Sequence, residues 1–312
     1  MAPQHTPRRW LRRGLWAAAG LVAVAAATVA AGLQLADRRM QRQVEGLPAH
    51  IAPVAFVDAG DAAARERGRY LYASRGCADC HGADGAGRRF VDGGALQLAG
   101  PNISPGPGSV VATYTATDWV RTLRHGVKPD GTPLLVMPSE DYARLTDADV
   151  AALVAHVRAL PPVSGGAAVL QLPLPLRVAY GFGLMPEAAT KIDHGLPPAQ
   201  PVPEGVTVAH GAYVANMCIG CHGKQLDGGK IPGGPPDWPE APRLSAGPDN
   251  ALAAYPDADA LLRMFRSGRR PDGSAIRVMP FEALGAINDV DARALHLYLQ
   301  QRAQGNVTTA AR

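Results

Sequence analysis

Cys77-Ala78-Asp79-Cys80-His81 and Cys218-Ile219-Gly220-Cys221-His222 decide how this chain is read. Both are C-x-x-C-H, the attachment pattern for c-type haem. The chemistry dictates the spacing: two thiols add to the two vinyl groups on one edge of a porphyrin, and the adjoining imidazole swings beneath the ring to ligate iron. A lone C-x-x-C also suits a redox dithiol or half a zinc site. Here every cysteine of the chain is used, and a histidine follows each pair. A four-cysteine zinc site would have to bring both pairs together across 137 intervening residues and leave both histidines to coincidence. The expectation is two covalently bound haem c groups, attached at Cys77, Cys80, Cys218 and Cys221, with His81 and His222 as iron ligands.

Working outward, the two motifs head an internal repeat. Arg121-Thr-Leu-Arg-His-Gly126 matches Arg263-Met-Phe-Arg-Ser-Gly268, and Pro129-Asp-Gly131 with Val136-Met-Pro138 matches Pro271-Asp-Gly273 with Val278-Met-Pro280. Pro101-Asn-Ile-Ser104 answers Pro242-Arg-Leu-Ser245. The chain therefore reads as a duplicated unit of about 100 residues, one haem per copy. Each copy places a methionine in the same Val-Met-Pro setting, 56 residues after His81 and 57 after His222. A thioether is a soft iron ligand, and His/Met ligation raises haem potential, so Met137 and Met279 are the expected sixth ligands. Met185, Met217 and Met264 lack repeat counterparts and are expected not to ligate. His125 competes in the first copy, but Ser267 replaces it in the second. Arg121 with Arg124, and Arg263 with Arg266, lie three apart on one helix face, either as a solvated basic face or as partners for haem propionates.

Hydrophobic residues make up 47% of the 312, enough for a substantial core, while 35 Gly, 28 Pro and 5% aromatics suit short helices joined by long ordered loops. The net charge of +4 is unevenly placed: residues 1–45 hold seven Arg against Asp37 and Glu45, leaving 24 basic and 25 acidic side chains in the rest. That near-neutral remainder excludes a nucleic-acid footprint. Arg8, Arg9, Arg12 and Arg13 precede an uncharged run from Gly14 to Ala36, 23 residues long. As a helix the run measures about 35 Å, enough to cross a hydrocarbon layer of about 30 Å. Arginines ahead of it stay in the cytoplasm, so the chain beyond Ala36 is exported. A cleaved signal peptide is the competing reading, with Ala25–Ala31 offering small residues, but its apolar region is normally about 7–15 residues.

Helices are expected near Asp61–Gly76 and Val208–Met217 ahead of the haem motifs, and near Thr117–His125 and Asp257–Ser267, ended by Gly126 and Gly268. Thr146-Asp-Ala-Asp149 and Asn288-Asp-Val-Asp291 read as caps opening the last helix of each copy. Pro161-Pro162 closes the first copy. The Pro-rich stretch after it is too apolar around Leu170–Gly183 for a free tether and is expected to pack across both copies.

These copies resemble class I c-type cytochrome domains. Gly100-Pro-Asn-Ile103, the helix end at Arg121–Gly126, Pro129-Asp-Gly131, Val136-Met-Pro138, Leu145-Thr-Asp-Ala-Asp149 and the connector Leu172-Pro-Leu-Pro-Leu-Arg177 are similar to the multihaem cytochrome subunits of membrane-bound periplasmic dehydrogenases for alcohols, aldehydes and sugar acids. The resemblance implies an all-α fold: a basic segment (1–13), a transmembrane anchor or signal peptide (14–36), cytochrome domain 1 (50–162), a connector (163–206) and cytochrome domain 2 (207–303). It also implies that the carbonyls of Pro101 and Pro242 accept the proton-bearing nitrogen of each haem histidine. The implied role is a non-catalytic electron carrier. It would be a single-pass protein of the inner membrane with haem domains on the periplasmic side, taking electrons from a dehydrogenase toward quinone, an oxidase or another cytochrome. A dihaem peroxidase needs one iron with an open position, which two matching sites do not provide. A cytochrome subunit of a haem–copper oxidase is the third reading.

Overall fold

The structure is a computed structural model and describes residues 8–58, 60–232, 234, 235 and 237–306. The first seven residues of the expected basic segment lie outside the described residues. Helix α1 (Arg8–Gln41) covers the whole apolar run and continues beyond it. At 34 residues it is about 51 Å long, so its last turns extend past any bilayer that Gly14–Ala36 crosses. Leu15, Trp16, Leu21 and Val22 are each at least 70% exposed, an apolar surface left uncovered among the described residues.

The first helical unit opens with α2 (Ala62–Ser74), capped by the Asp61 carboxylate, which accepts from Ala64 N–H. One further turn, α3 (Cys77–His81), comes next, then the hairpin β1 (Arg89–Gly93) and β2 (Leu96–Ala99). After these come α4 (Ala116–His125), the single turn α5 (Ser139–Tyr142) and α6 (Asp147–Arg158). Helix α4 starts with a reciprocal capping box between Thr115 and Asp118 and ends on Gly126 at φ 67°. Leu71 and Tyr72 of α2, Trp119 of α4 and Val150 and Val154 of α6 meet in one buried cluster. At about 1.5–3 kcal/mol per large apolar side chain, this cluster is the main support of the unit. Helices α2 and α6 cross closely enough that a Cβ on Gly68 would lie 2.0 Å from the Ala152 carbonyl oxygen.

The connector supplies β3 (Val169–Gln171), which pairs antiparallel with β2 to complete a three-stranded sheet in the order β1-β2-β3. The expectation of a purely helical fold is corrected here: the chain is mostly helical with a small sheet. Arg89–Ala99 carries Asp-Gly-Gly at its centre, and Gly94 at φ 63° lets the chain reverse. Helices α7 (Leu174–Gly181) and α8 (Ala188–Lys191) complete the connector's regular structure. Helix α7 packs on α1, where Gly32 and Ala36 meet Gly181 backbone to backbone. Glu187, fully buried, holds Arg39 of α1 and Arg42 just past its end, and the Tyr180 hydroxyl donates to it. The connector thus runs along the first unit and the anchor. Toward the second unit it forms one wall of a cavity of about 620 Å³, with Ile219, Gly223 and Lys224 on the opposite wall.

The second unit repeats the first. It contains α9 (Val208–Val214), a 3₁₀ turn over Ala215–Cys218, α10 (Ile219–His222), α11 (Ala258–Ser267), α12 (Phe281–Gly285) and α13 (Asp289–Ala303). Val214, Leu261, Phe265, Leu295 and Leu299 form its own buried cluster. Gly211 stands where Gly68 does, its Cβ position 2.0 Å from the Ala294 carbonyl oxygen.

The two units exchange tyrosines. Tyr213 of the second donates to Asp149 of α6 at 2.5 Å, and Tyr70 of the first donates to Asp291 of α13 at 2.6 Å. Each tyrosine oxygen also accepts a cap N–H of the other unit, from Thr146 and Asn288 respectively. The contact is reciprocal, as in an isologous dimer.

Candidate cofactor attachment sites

Each C-x-x-C-H segment is a single helical turn, which brings Cys77, Cys80 and His81 of α3 to one side, three and four residues apart. His81 Nδ1 lies 2.9 Å from the Pro101 carbonyl oxygen, and His222 Nδ1 lies 2.9 Å from that of Pro242. A carbonyl can only accept, so Nδ1 carries the proton and Nε2 is left as the coordinating atom. Burial lowers the pKa of both rings, with the carbonyl bonds opposing, so each imidazole is neutral at neutral pH. Glycine makes the approach possible. At Gly87 (φ 93°) and Gly228 (φ 73°) a Cβ would stand 2.6 Å from the Gly100 oxygen and 2.4 Å from the Ala241 oxygen.

Three of the four thiols are unsuited to thiolate chemistry. Burial pushes Cys77 up to about 12, helped by Cys80 and Asp79. Cys80 rises to about 11 through burial and then Asp79; Cys221 does so through burial and then Asp141 and Glu140. Redox dithiols and zinc thiolates need the opposite shift. The residues do fit a haem held by thioethers, which remove the thiol proton altogether.

Met137 and Met279 are half-buried, Met137 against the core cluster that also touches Cys77, Met279 against the one that touches Cys218. The prolines next to them adopt one conformation, φ −80° with ψ 62° at Pro138 and 69° at Pro280. Ser139 N–H and Phe281 N–H reach back to the methionine carbonyls at 2.8 and 2.9 Å. Met264, by contrast, is a buried core residue of α11. His125 turns elsewhere: its Nδ1 is 3.0 Å from His194 Nδ1, on the cavity wall. Burial, then His194, lowers the His125 pKa to about 4.

Three of the four helix-face arginines have protein partners. Arg124 is buried, bonds the Leu145 carbonyl at 2.6 Å and pairs with Asp147 at 2.7 Å; Arg266 pairs with Asp289 at 3.2 Å. Both tie their helix to the start of the unit's last helix, and Arg121 pairs with Asp118 of its own helix. Arg263 is exposed, as a solvated face would have it, whereas Arg124 is held by protein groups.

Sequence reasoning missed the cross-unit contacts at the attachment segments. Gly220, between Cys218 and Cys221, donates its N–H to Asp141 of α5 at 2.7 Å. Burial, then Glu140, raises the Asp141 pKa well above the carboxylate range, with the Gly220 bond opposing. On the other side, Ala283 of α12 packs over Gly76, and Arg88 pairs with Glu282 at 2.8 Å. Each unit's attachment segment is covered by the short helix that succeeds the methionine in the other unit. The signal was present as Ser139–Tyr142 and Phe281–Gly285 in equivalent places, but nothing local says that they cross over.

Residues 63–157 match the family described as cytochrome C oxidase, cbb3-type, subunit III. The fructose dehydrogenase cytochrome subunit of Gluconobacter japonicus is 27% identical over 259 residues, covering 75% of this chain and 51% of that one. The alcohol dehydrogenase (quinone) cytochrome c subunit of Gluconobacter oxydans is 28% identical over 255 residues, 72% and 51% of the two chains. A diheme cytochrome c-type protein of Cereibacter sphaeroides is 33% identical over 162 residues, 49% and 50%. The chain is thus similar to c-type cytochromes, over residues 63–157 by family and over a longer stretch in these relatives. Its cofactor is covalently bound haem c. The chain spans about half the length of the curated relatives it matches. One N-terminal helix, Arg9–Gln41, is long and apolar enough to cross a membrane.

Proposed function

We propose that the chain is an electron-carrying subunit built as two tandem class I cytochrome domains, residues 50–162 and 207–303. They come after an uncleaved anchor and are joined by the connector 163–206. Cys77 with Cys80 and Cys218 with Cys221 hold the two haems, His81 and His222 are the proximal ligands, and Met137 and Met279 are the distal ones. Bound haem c supplies a reversible one-electron iron couple. The protein's part is to hold each imidazole as the Nδ1–H tautomer against Pro101 or Pro242, raising the basicity of Nε2. A methionine on each distal side closes the site to small ligands and favours the reduced state.

The observation that carries the reading is the cross-covering of the attachment segments by α5 and α12, which supports a path between the two cofactors inside one chain. The donor is a periplasmic dehydrogenase acting on an alcohol, aldehyde or sugar acid, and the acceptor is quinone or the next respiratory carrier. The relatives named as dehydrogenase cytochrome subunits support that donor. Periplasmic placement is supported by the arginine count: Arg8, Arg9, Arg12 and Arg13 precede the span, against Arg38, Arg39 and Arg42 just after it. The family description over residues 63–157 favours a second reading, a cytochrome subunit of a haem–copper oxidase. Purification from detergent-solubilised membranes separates them, since the carrier reading expects a dehydrogenase to accompany the chain and the other expects an oxidase. For the ligands, Met137→Ala and Met279→Ala should each remove half of the weak long-wavelength sulfur–iron absorption, and Met264→Ala none. A high-spin haem in the unaltered protein would refute the ligand set.

A further inference from the structure

We infer that α7 and the Phe182-Gly183-Leu184 turn after it form a second membrane contact, a lipid-embedded foot beside the anchor. The inference rests on reading Gly14–Ala36 as membrane-spanning. Helix α7 meets α1 inside that span, not beyond it. A Cβ on Gly32 would lie 2.7 Å from Val178 Cγ1 and 3.0 Å from Phe182 Cε2, and one on Gly181 would lie 2.0 Å from the Gly32 oxygen. Gly32 precedes the end of the span at Ala36 by four residues, about 6 Å of helix rise. Val178 and Phe182 therefore sit at the depth where interfacial helices bury their apolar face, about 5–10 Å into the headgroup boundary.

The side chains facing outward there suit lipid. Leu174 is 52% exposed, Phe182 45% and Leu184 74%, and the exposed apolar flank of α1 continues alongside. Of the arginines just above, Arg177 is compensated by Asp37 at 2.5 Å and Arg39 and Arg42 by Glu187, while Arg38 is exposed where headgroup phosphates would meet it. An aqueous surface gives no reason to display three large apolar side chains next to an anchor. A bilayer surface does, because the transfer of each is favourable by about 25 cal/mol per Å² removed from water. Continuity with the anchor's own apolar face commits the patch to lipid and not to a protein partner. Helix α7 would then fix the tilt of the first unit over the membrane, since Tyr180 and Glu187 bind it rigidly to α1.

The test uses the full haem-loaded chain in nanodiscs of phosphatidylethanolamine and phosphatidylglycerol, in which an introduced cysteine is the one free thiol. A nitroxide is placed at Leu184→Cys, and separately at Leu174→Cys, Val24→Cys within the anchor and Asp272→Cys on the exposed loop of the second unit. Collision with oxygen, which partitions into lipid, is compared with collision with a water-soluble nickel chelate. The expected oxygen-to-nickel ratio at positions 184 and 174 is severalfold above that at 272 and close to that at 24. A nickel-favoured ratio at 184 and 174, with 24 still oxygen-favoured, overturns the foot and leaves the anchor standing. A nickel-favoured ratio at 24 overturns both. Shielding of 184 and 174 from both reagents places them against protein and also overturns the foot.

Discussion

Asp291→Asn removes one negative charge from the centre of the contact between the two units. Asp291 is fully buried and receives Arg75 at 2.8 Å, Tyr70 at 2.6 Å and His210 at 2.7 Å. Burial alone would raise its pKa, but Arg75, then Tyr70 and His210, outweigh that and hold it below the ordinary value. The Arg75 side chain is itself only 4% exposed, so the amide variant leaves a guanidinium buried without its counter-charge. Breaking such a pair costs about 3–5 kcal/mol. Tyr70→Phe deletes the hydrogen bond to the same carboxylate and the one from Asn288 N–H, and should cost about 1–3 kcal/mol. Asp149→Asn should fall between them, because its partner Arg67 keeps 27% of its side chain in water. Urea unfolding of the full chain, monitored by helical circular dichroism, gives the three values. The linkage has a definite sign: a depressed folded pKa means that the Asp291 contribution is fully present above the unfolded value of about 3.9 and is lost as pH falls through the folded one. Asp291→Asn should flatten that acid limb. If Asp291→Asn costs no more than Tyr70→Phe, the buried charge is not what holds the units together.

Gly68→Ala and Gly211→Ala should each destabilise by about 1–3 kcal/mol or more despite alanine's better helix propensity, because the added methyl meets a carbonyl oxygen; melting curves decide this. Glu187→Gln should strand Arg39 and Arg42, loosen α7 from α1 and speed tryptic cleavage after Arg42, an effect absent in Asp37→Asn if Glu187 is the main clamp. His125, depressed to about 4, stays neutral in the folded chain while the unfolded chain protonates near 6.5. Stability should therefore decline as pH falls from about 6.5 to about 4, and His125→Phe should remove part of that decline in a denaturation series.

The contacts of His81 with Pro101 and of His222 with Pro242 were legible because each joins residues only 20 apart in the chain, next to a motif whose spacing is set by local chemistry. Two caps were legible for the same reason, and Thr146 and Asn288 each accept the expected backbone N–H, whereas the cap at Thr115 lies ahead of the helix start expected at Thr117. What the pattern hid was set by distance. Arg124 on a helix face reads as solvated or as a propionate partner until Asp147 and Leu145 are brought to it. Strand β3 is three residues of a Pro-rich connector, and only the edge of β2 makes it a strand. Asp149 and Asp291 looked like cap residues alone, since the tyrosines that bind them come from the other copy.

The placement of Arg75 bears on how the chain must come together. It belongs to the first unit and lies two residues before Cys77, yet the carboxylate that neutralises it arrives 216 residues later. Until the second unit arrives, the guanidinium has Ser74 beside it but not its anion. Docking of α13 brings that carboxylate to the segment just before Cys77, so the surroundings of the early attachment motif are completed by the last helix of the chain. Helix α13 thus acts as a latch on the first unit.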